Sequence, residues 1–540
     1  MTAGVPARGG LQVRPHLRVT GWAWLLWVAG LLVAVAILLP VVYLLVRTLE
    51  GGRAAWTVVL RARTLHIVGQ TLWLASAVTV ASAAIALPLA WLTVRSDLPG
   101  RRVWTVLTAL PLAIPSYVGA YLAVAALGPR GLVQQWLEGP LGVQRLPEIY
   151  GFPGAFAVLT LLSYPYTLLA LRAALQRMDP ALEEASRGLG HGPWATFWRI
   201  TLPQLRPALA AGSLLVALYT LRDFGVVSIL RYDTFTRVIY VQYQAAFNRV
   251  SAATFALVLV AITLVLLSVE RGLQGRAGYY RGAIGAPRPV SVVRLGRWRW
   301  PALLFCAGLL GLSLVLPAGI LLYWLVRGLQ AGEAVAPVWQ ATRNSLAASG
   351  LAAGVTVLAA LPVAILSVRF PGRLSQLLER LSYACFALPG IVVALALVFF
   401  GIRLATPLYQ SLAMLIFAYA ILFLPQAVGS VRASLLQVHP TLEEAARSLG
   451  RGPIGTFATI TLPLVWPGVA AGASLVFLTT MKELPATLIL GPIEFRTLAT
   501  GVWSAVSEAF FARAALPALM LILVSSIPMT YFIVREKQGL

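Results

Sequence analysis

Two adjacent pairs of charged residues lie where charge is least expected. Arg222-Asp223 and Lys482-Glu483 each sit inside a long apolar run, 204–230 and 464–490. A charge in such a run is costly and normally faces a protein interior or a water-filled cavity. Neighbours on a helix point about 100° apart, so the members of each pair do not simply neutralise one another. Two chemistries fit. One is structural: ion bridges between helices, with no contact to a solute. The other is a gate or transient contact on a pathway, where Asp223, Glu483 and Tyr219 would offer oxygen to a hard cation. A passing site should bind weakly, so no complete metal cage is expected. The step from Leu205 to Arg222 is roughly 25 Å of helix, which predicts charges toward the outer leaflet.

A second constellation lies outside the apolar runs. Asp179-Pro180 reads as helix N-cap and first helical residue. Glu183 and Glu184 follow in the first turn, where the helix dipole favours negative charge. Gly190 suits a left-handed helix end. Pro193 can start a second short helix, and Pro203 begins the next apolar run. The order returns as His439-Pro440, Glu443, Glu444, Gly450, Pro453 and Pro463. Each stretch predicts a helix–turn–helix elbow on the cytoplasmic face.

Other reactive groupings are missing. The chain has no GxxxxGK[ST] phosphate loop, and its two lysines, Lys482 and Lys537, are not in Gly-rich loops. The histidines at 16, 66, 191 and 439 are scattered. Cys306 and Cys385 stand in apolar runs without CxxC spacing, which argues against a zinc site or a disulfide framework. A membrane-bound enzyme would need a catalytic cluster that these residues do not form.

The elements that must position these groups are membrane helices. Of 540 residues, 59% are apolar and 11% charged, against about 25% charged in soluble domains. The formal charge of +24 would suggest nucleic acid on a soluble protein. Here the basic residues fall in short segments between apolar runs, so membrane topology accounts for them and no nucleic-acid partner is expected. Arg8, Arg14 and Arg18 precede a long apolar segment that reads as an uncleaved first helix with its N-terminus inside. Twelve spans are predicted, near 22–47, 67–94, 103–127, 155–176, 204–230, 252–270, 302–327, 345–368, 383–402, 408–432, 464–490 and 512–534. An even number returns the C-terminus to the cytoplasm.

The chain also repeats itself. Residues 178–212 match 438–472 at an offset of 260, which aligns Arg222-Asp223 with Lys482-Glu483. Upstream, LPLAWLTVR (87–95) matches LPVAILSVR (361–369) at an offset of 274. The difference of 14 places a longer outer loop within 128–154. The reading is a first six-helix module over 1–270, a cytoplasmic linker over 271–299 and a second six-helix module over 300–540. Six crossings separate equivalent loops, so the duplication is parallel, with a pseudo-twofold along the membrane normal.

The elbows resemble the signature of binding-protein-dependent ABC permeases, E-A-A, three residues, G, nine residues, I-x-L-P. The copies read Glu184-Ala185-Ser186, Gly190, Ile200, Leu202-Pro203 and Glu444-Ala445-Ala446, Gly450, Ile460, Leu462-Pro463. Only Ser186 departs. The resemblance implies an all-α integral membrane protein like the type I ABC importers, in the bacterial inner membrane and surrounded by lipid. It implies that Glu183, Glu184, Ala185, Gly190, Glu443, Glu444, Ala445 and Gly450 couple to separate ATPase subunits. Two similar elbows imply two such subunits, a homodimer, which bind the ATP and Mg; this chain holds no cofactor. An extracytoplasmic binding protein would deliver the cargo. Segments 221–243 and 481–503 are similar to the ferric-iron branch, which is often fused into one chain. The thiamine, polyamine and phosphonate branches share the elbow. An ion-coupled secondary transporter could also show twelve spans and a repeat, but would not need twin elbows.

Overall fold

The computed structural model describes residues 23–129, 131–244, 249–274, 292–333 and 336–536. Arg8, Arg14, Arg18 and most of the expected linker lie outside them. Among the described residues, nine helices are long and apolar enough to cross a membrane. The other three expected spans are of different make. The last is the closing helix Phe511–Glu536. The third span of each half is broken. In the first half, Arg101–Leu107 and the 3-10 turn Leu110–Ala113 are bent by 92° from the helices that begin at Ser116. In the second, Arg373–Ala384, a turn over Cys385–Ala387 and Gly390–Leu404 follow one another. Pro115 and Pro389 mark the breaks, both extended at φ −63° and ψ 146°. Proline cannot donate a backbone N–H, so a helix is readily restarted there.

The fifth spans also differ from expectation. They were expected to run unbroken to 230 and 490, but the helices end at Arg222 and Met481, and short helices Gly225–Ile229 and Pro485–Leu490 follow. The Pro485 ring would clash with the carbonyl of Met481 in a continuous helix. In the first half Asp223 is extended at ψ 130°, and its side chain takes a downstream backbone N–H instead of letting the helix continue.

At their other ends these helices start earlier than expected. Pro193 does not head a separate short helix. The helix from Pro193 continues through a π turn, Phe197–Thr201, into Leu202–Arg222. There the Leu202 N–H reaches the Phe197 carbonyl, five residues back. The next residue is Pro203, whose ring needs room against the carbonyl four residues before it, and one extra residue in the turn supplies that room. The same device precedes Pro463, over Phe457–Thr461, and Pro317, over Gly311–Val315.

The second, fourth and fifth helices pack together in each half: Ala62–Arg95, Phe152–Arg177 and Leu202–Arg222, then Ala336–Arg369, Leu412–Leu435 and Leu462–Met481. Hydroxyls in these apolar surroundings bond their own helix, as Thr71 does to the Ile67 carbonyl (2.7 Å) and Thr356 to the Ala352 carbonyl (2.6 Å). The first helices are exchanged. Ala23–Glu50 lies on Ala336–Arg369 and Gly390–Leu404 of the second half, and Leu316–Gln330 lies on Ser116–Leu127 of the first.

Candidate functional site

Helix ends from both halves close on one cavity of about 190 Å³. All four charged residues line it, with Tyr117, Tyr166 and Tyr219. Asp223 Oδ1 accepts from the Val226 N–H at 2.9 Å, and its carboxylate also takes a hydrogen bond from Ser116. Glu483 Oε1 accepts from the Ala486 N–H at 3.3 Å. Each carboxylate therefore caps the short helix that follows it, three residues on. Lys482 crosses between halves, its Nζ donating to the Leu112 carbonyl at 3.0 Å. Arg222 lies in electrostatic reach of Glu483 of the other half. Among the described residues no ion pair within 4.0 Å includes any of the four. Of the two chemistries open to these pairs, ion bridges between helices are not the one seen here, and Asp223, Glu483 and Lys482 each contact backbone instead.

The depth of the charges differs from expectation. Tyr219 meets Tyr166 with ring centroids 5.4 Å apart. Tyr166 lies roughly 21 Å along its helix from Phe152 and roughly 16 Å from Arg177 at 1.5 Å per residue. Arg222 is about 5 Å further along its helix, so the charges stand near the middle of the bundle and slightly to its outer side, less far out than expected. The crossing is unfinished at Arg222: it continues through Gly225–Ile229 to Leu230, whose carbonyl accepts from Gly151 N–H at the outer end of the fourth helix.

The cavity keeps the symmetry of the repeat. Tyr166 and Tyr219 correspond to Gln426 and Thr479, which are joined by a 3.1 Å hydrogen bond. Sequence reasoning missed Tyr166, Tyr117, Ser116 and Gln426. A signal existed for one pair: Tyr166 and Gln426 both follow a proline at equivalent positions in a fourth span. Among the described residues no three His, Cys, Asp or Glu side chains gather as a metal-ligand group. The chamber offers two carboxylates, two cations and several neutral oxygens, a set able to hold a small charged solute briefly.

The elbows form as the sequence predicts in outline. Asp179 Oδ1 accepts from the Ala181 N–H at 3.0 Å, and His439 Nδ1 from the Thr441 N–H at 3.4 Å. Gly190 and Gly450 are left-handed, with φ of 86° and 83°. The two glutamates of each elbow part ways, however. Glu184 and Glu444 are exposed, with Ala185, Ala445, Gly190 and Gly450. Glu183 and Glu443 point inward. Arg95 Nη1 donates to Glu183 Oε2 at 3.4 Å and Thr201 to Oε1 at 2.8 Å. Arg369 donates to Glu443 Oε1 through Nη2 at 2.9 Å and Nε at 3.1 Å, and Thr461 adds a third bond at 3.0 Å. So these two residues, expected to face a partner, brace the elbow against the end of the second helix. Ser186 is buried and bonds Thr196 across the elbow (3.1 Å), a contact its counterpart Ala446 cannot make.

Residues 82–277 and 356–536 match the family model described as the binding-protein-dependent transport system inner membrane component. The chain is 36% identical over 502 residues to an Fe(3+)-transport system permease protein of Haemophilus influenzae, across 92% of this chain and 96% of that one. A ferric transport system permease protein of Actinobacillus pleuropneumoniae is 26% identical over 451 residues, across 78% of this chain and 64% of its own. A solved chain of a bacterial ABC transporter involved in the import of the acidic polysaccharide alginate is 18% identical, with a TM-score of 0.39 over 47% of this chain and 96% of that one.

Proposed function

Because the chain belongs to the family of binding-protein-dependent transport system inner membrane components, we propose that it is the fused permease of an ATP-driven importer of ferric iron. It is a multi-pass protein of the inner membrane and a transport subunit. The observation that carries the cargo is the 36% identity to an Fe(3+)-transport permease across nearly the whole of both chains. Thiamine, polyamine or phosphonate is a weaker reading, since the elbow alone would favour it equally. In this reading two identical ATPase subunits bind the ATP and Mg and dock on the exposed faces of the elbows, at Glu184, Ala185, Gly190, Glu444, Ala445 and Gly450. That side, with both chain ends, faces the cytoplasm.

The central chamber is the gate on the path. Its residues come from both halves, so any relative motion of the halves alters it. Asp223 and Glu483 are the groups that touch the passing cation. Their carboxylates also cap helices, which suits a contact that must be made and released. The test is uptake of radioactive iron by proteoliposomes holding the permease, its ATPase subunits and a binding protein. Ferric-loaded binding protein should stimulate ATP hydrolysis and uptake. Stimulation by a thiamine-, polyamine- or phosphonate-loaded protein, with none by the ferric form, would overturn the cargo.

A further inference from the structure

The two halves differ in the space left where the second helix meets the elbow. In the first half a cavity of about 690 Å³ opens between the last turns of Ala62–Arg95, the segment Pro193–Thr201 and Val293. A second cavity, of about 600 Å³, lies beside it toward Trp298, and the two share Pro88, Trp91, Leu92 and Val293. The corresponding space in the second half is about 30 Å³. The repeat explains part of the difference. Trp91, Trp194 and Trp198 wall the first-half cavity, whereas the same positions in the second half are Ile365, Ile454 and Ala458.

From this we infer a binding site for one anionic phospholipid, present in the first half only. Trp194 and Trp198 pack edge to face at 5.9 Å, yet remain 73% and 51% exposed. Such rings carry an apolar body and a polar N–H, and they settle at the headgroup level of a bilayer. The end of a membrane-crossing helix is at that level. The apolar walls accept an acyl chain. Positive charge lines both cavities: exposed Arg187 the larger and exposed Arg294 the smaller. Guanidinium groups match phosphate oxygens in a forked geometry.

The nearby acids are already engaged. Both oxygens of Glu183 are bonded, to Arg95 and Thr201. Asp97 Oδ1 accepts from the Leu295 N–H at 2.7 Å. That bond belongs to a short strap, in which Val293 N–H donates to the Arg95 carbonyl (2.8 Å) and Asp97 N–H to the Val293 carbonyl (3.2 Å). The strap fixes Arg294 beside the cavities. Charge complementarity and the depth of the site select an anionic lipid over a neutral one.

The test uses the full chain in nanodiscs, so it is independent of cargo and of the ATPase subunits. Photoactivatable phosphatidylglycerol or phosphatidylcholine is incorporated, and labelled peptides are mapped. Phosphatidylglycerol should label 87–92 and 193–198 strongly and leave the equivalent 361–366 and 453–458 nearly unlabelled. Arg294→Gln should lower that labelling about fivefold, the worth of one basic side chain at an anionic surface. Trp198→Ala, which installs the second-half residue type, should lower labelling by both lipids while the protein stays monodisperse. Equal labelling of the two halves would overturn the site. Equal labelling by both lipids would reduce it to an unselective apolar crevice and overturn the headgroup assignment. A photo-crosslinker at position 198 that captures this chain instead of lipid would also overturn it.

Discussion

Replacing Glu443 with Gln should loosen the second elbow by an amount the geometry sets. Arg369 gives Glu443 Oε1 two N–H bonds, at 2.9 and 3.1 Å, and both side chains are only 12% exposed. Glutamine keeps the shape and can still accept from Thr461 and Arg369, but the guanidinium then faces a neutral amide and the ion pair is lost. Removing one charge from a buried ion pair costs about 3–5 kcal/mol; this pair is not fully buried and its hydrogen bonds are kept, so the loss is about 2 kcal/mol. Because ~1.4 kcal/mol is a factor of ten, the elbow should open about 30 times more often. Hydrogen exchange of the purified chain, followed by mass spectrometry on peptides spanning 438–452, reads this opening directly. Glu183→Gln should have a smaller effect on 178–192, since Arg95 reaches its carboxylate by one bond of 3.4 Å. Adding Arg369→Met to Glu443→Gln should cost more, because Arg369 Nη2 also donates to the Val438 carbonyl at 3.0 Å, but less than the sum of the two single changes. Unchanged exchange at 438–452 in Glu443→Gln would refute the bracing role.

The outward glutamates should behave differently: Glu184→Arg with Glu444→Arg is expected to leave elbow exchange near wild type but weaken co-purification of the ATPase subunits. Normal transport by that double variant would rule out an electrostatic part for these residues in coupling. Asp223→Asn with Glu483→Gln keeps acceptors for the capped helices and removes the charge. Iron uptake in proteoliposomes should then fall well below wild type while the complex still assembles, and unchanged uptake would rule out the gate assignment. Gly212→Ala should destabilise, since the new Cβ would lie 2.6 Å from Thr167 Cα, whereas its counterpart Gly472→Ala meets nothing closer than 3.3 Å and should cost less. Overpacking costs about 1–3 kcal/mol, so thermal unfolding in detergent should rank Gly212→Ala clearly below Gly472→Ala.

Much of this molecule is legible in its sequence because the repeat is read twice. The cap at His439 and the left-handed Gly190 and Gly450 follow from local chemistry, and the structure places them as expected; in the first elbow the helix starts one residue later, at Ala181, with Pro180 at the cap position and Asp179 still bonding the Ala181 N–H. Which glutamate of each pair faces inward was not legible. Glu183 and Glu184 stand in equally polar surroundings, and only the arginine closing the second helix distinguishes them. Arg95 and Arg369 end the matching strings LPLAWLTVR and LPVAILSVR, where they served as markers of register. The helix breaks at Arg222 and Met481 were hidden for another reason. Hydropathy follows side chains, and the apolar run continues through Val226, Val227 and Ile229 while the backbone bonding changes. The meeting of both halves at one chamber depends on packing across the whole chain, which no local pattern encodes.

The exchanged first helices have a consequence in time. Ala23–Glu50 leaves the ribosome well before part of its packing surface, Ala336–Arg369, which lies about 300 residues later. At about 5–20 residues per second, that partner arrives roughly 15–60 s afterwards. For most of that interval the helix lacks both its own half's last helix, Arg249–Gln274, about 200 residues later, and its final neighbours. Lipid or an insertion factor must cover the remaining face. A separately made first half would wait indefinitely for a collision, whereas fusion turns the wait into a fixed delay and keeps the partner tethered nearby. Truncation before residue 336 should therefore leave Ala23–Glu50 inserted but open to cysteine labelling or proteolysis on the face that later meets the second half.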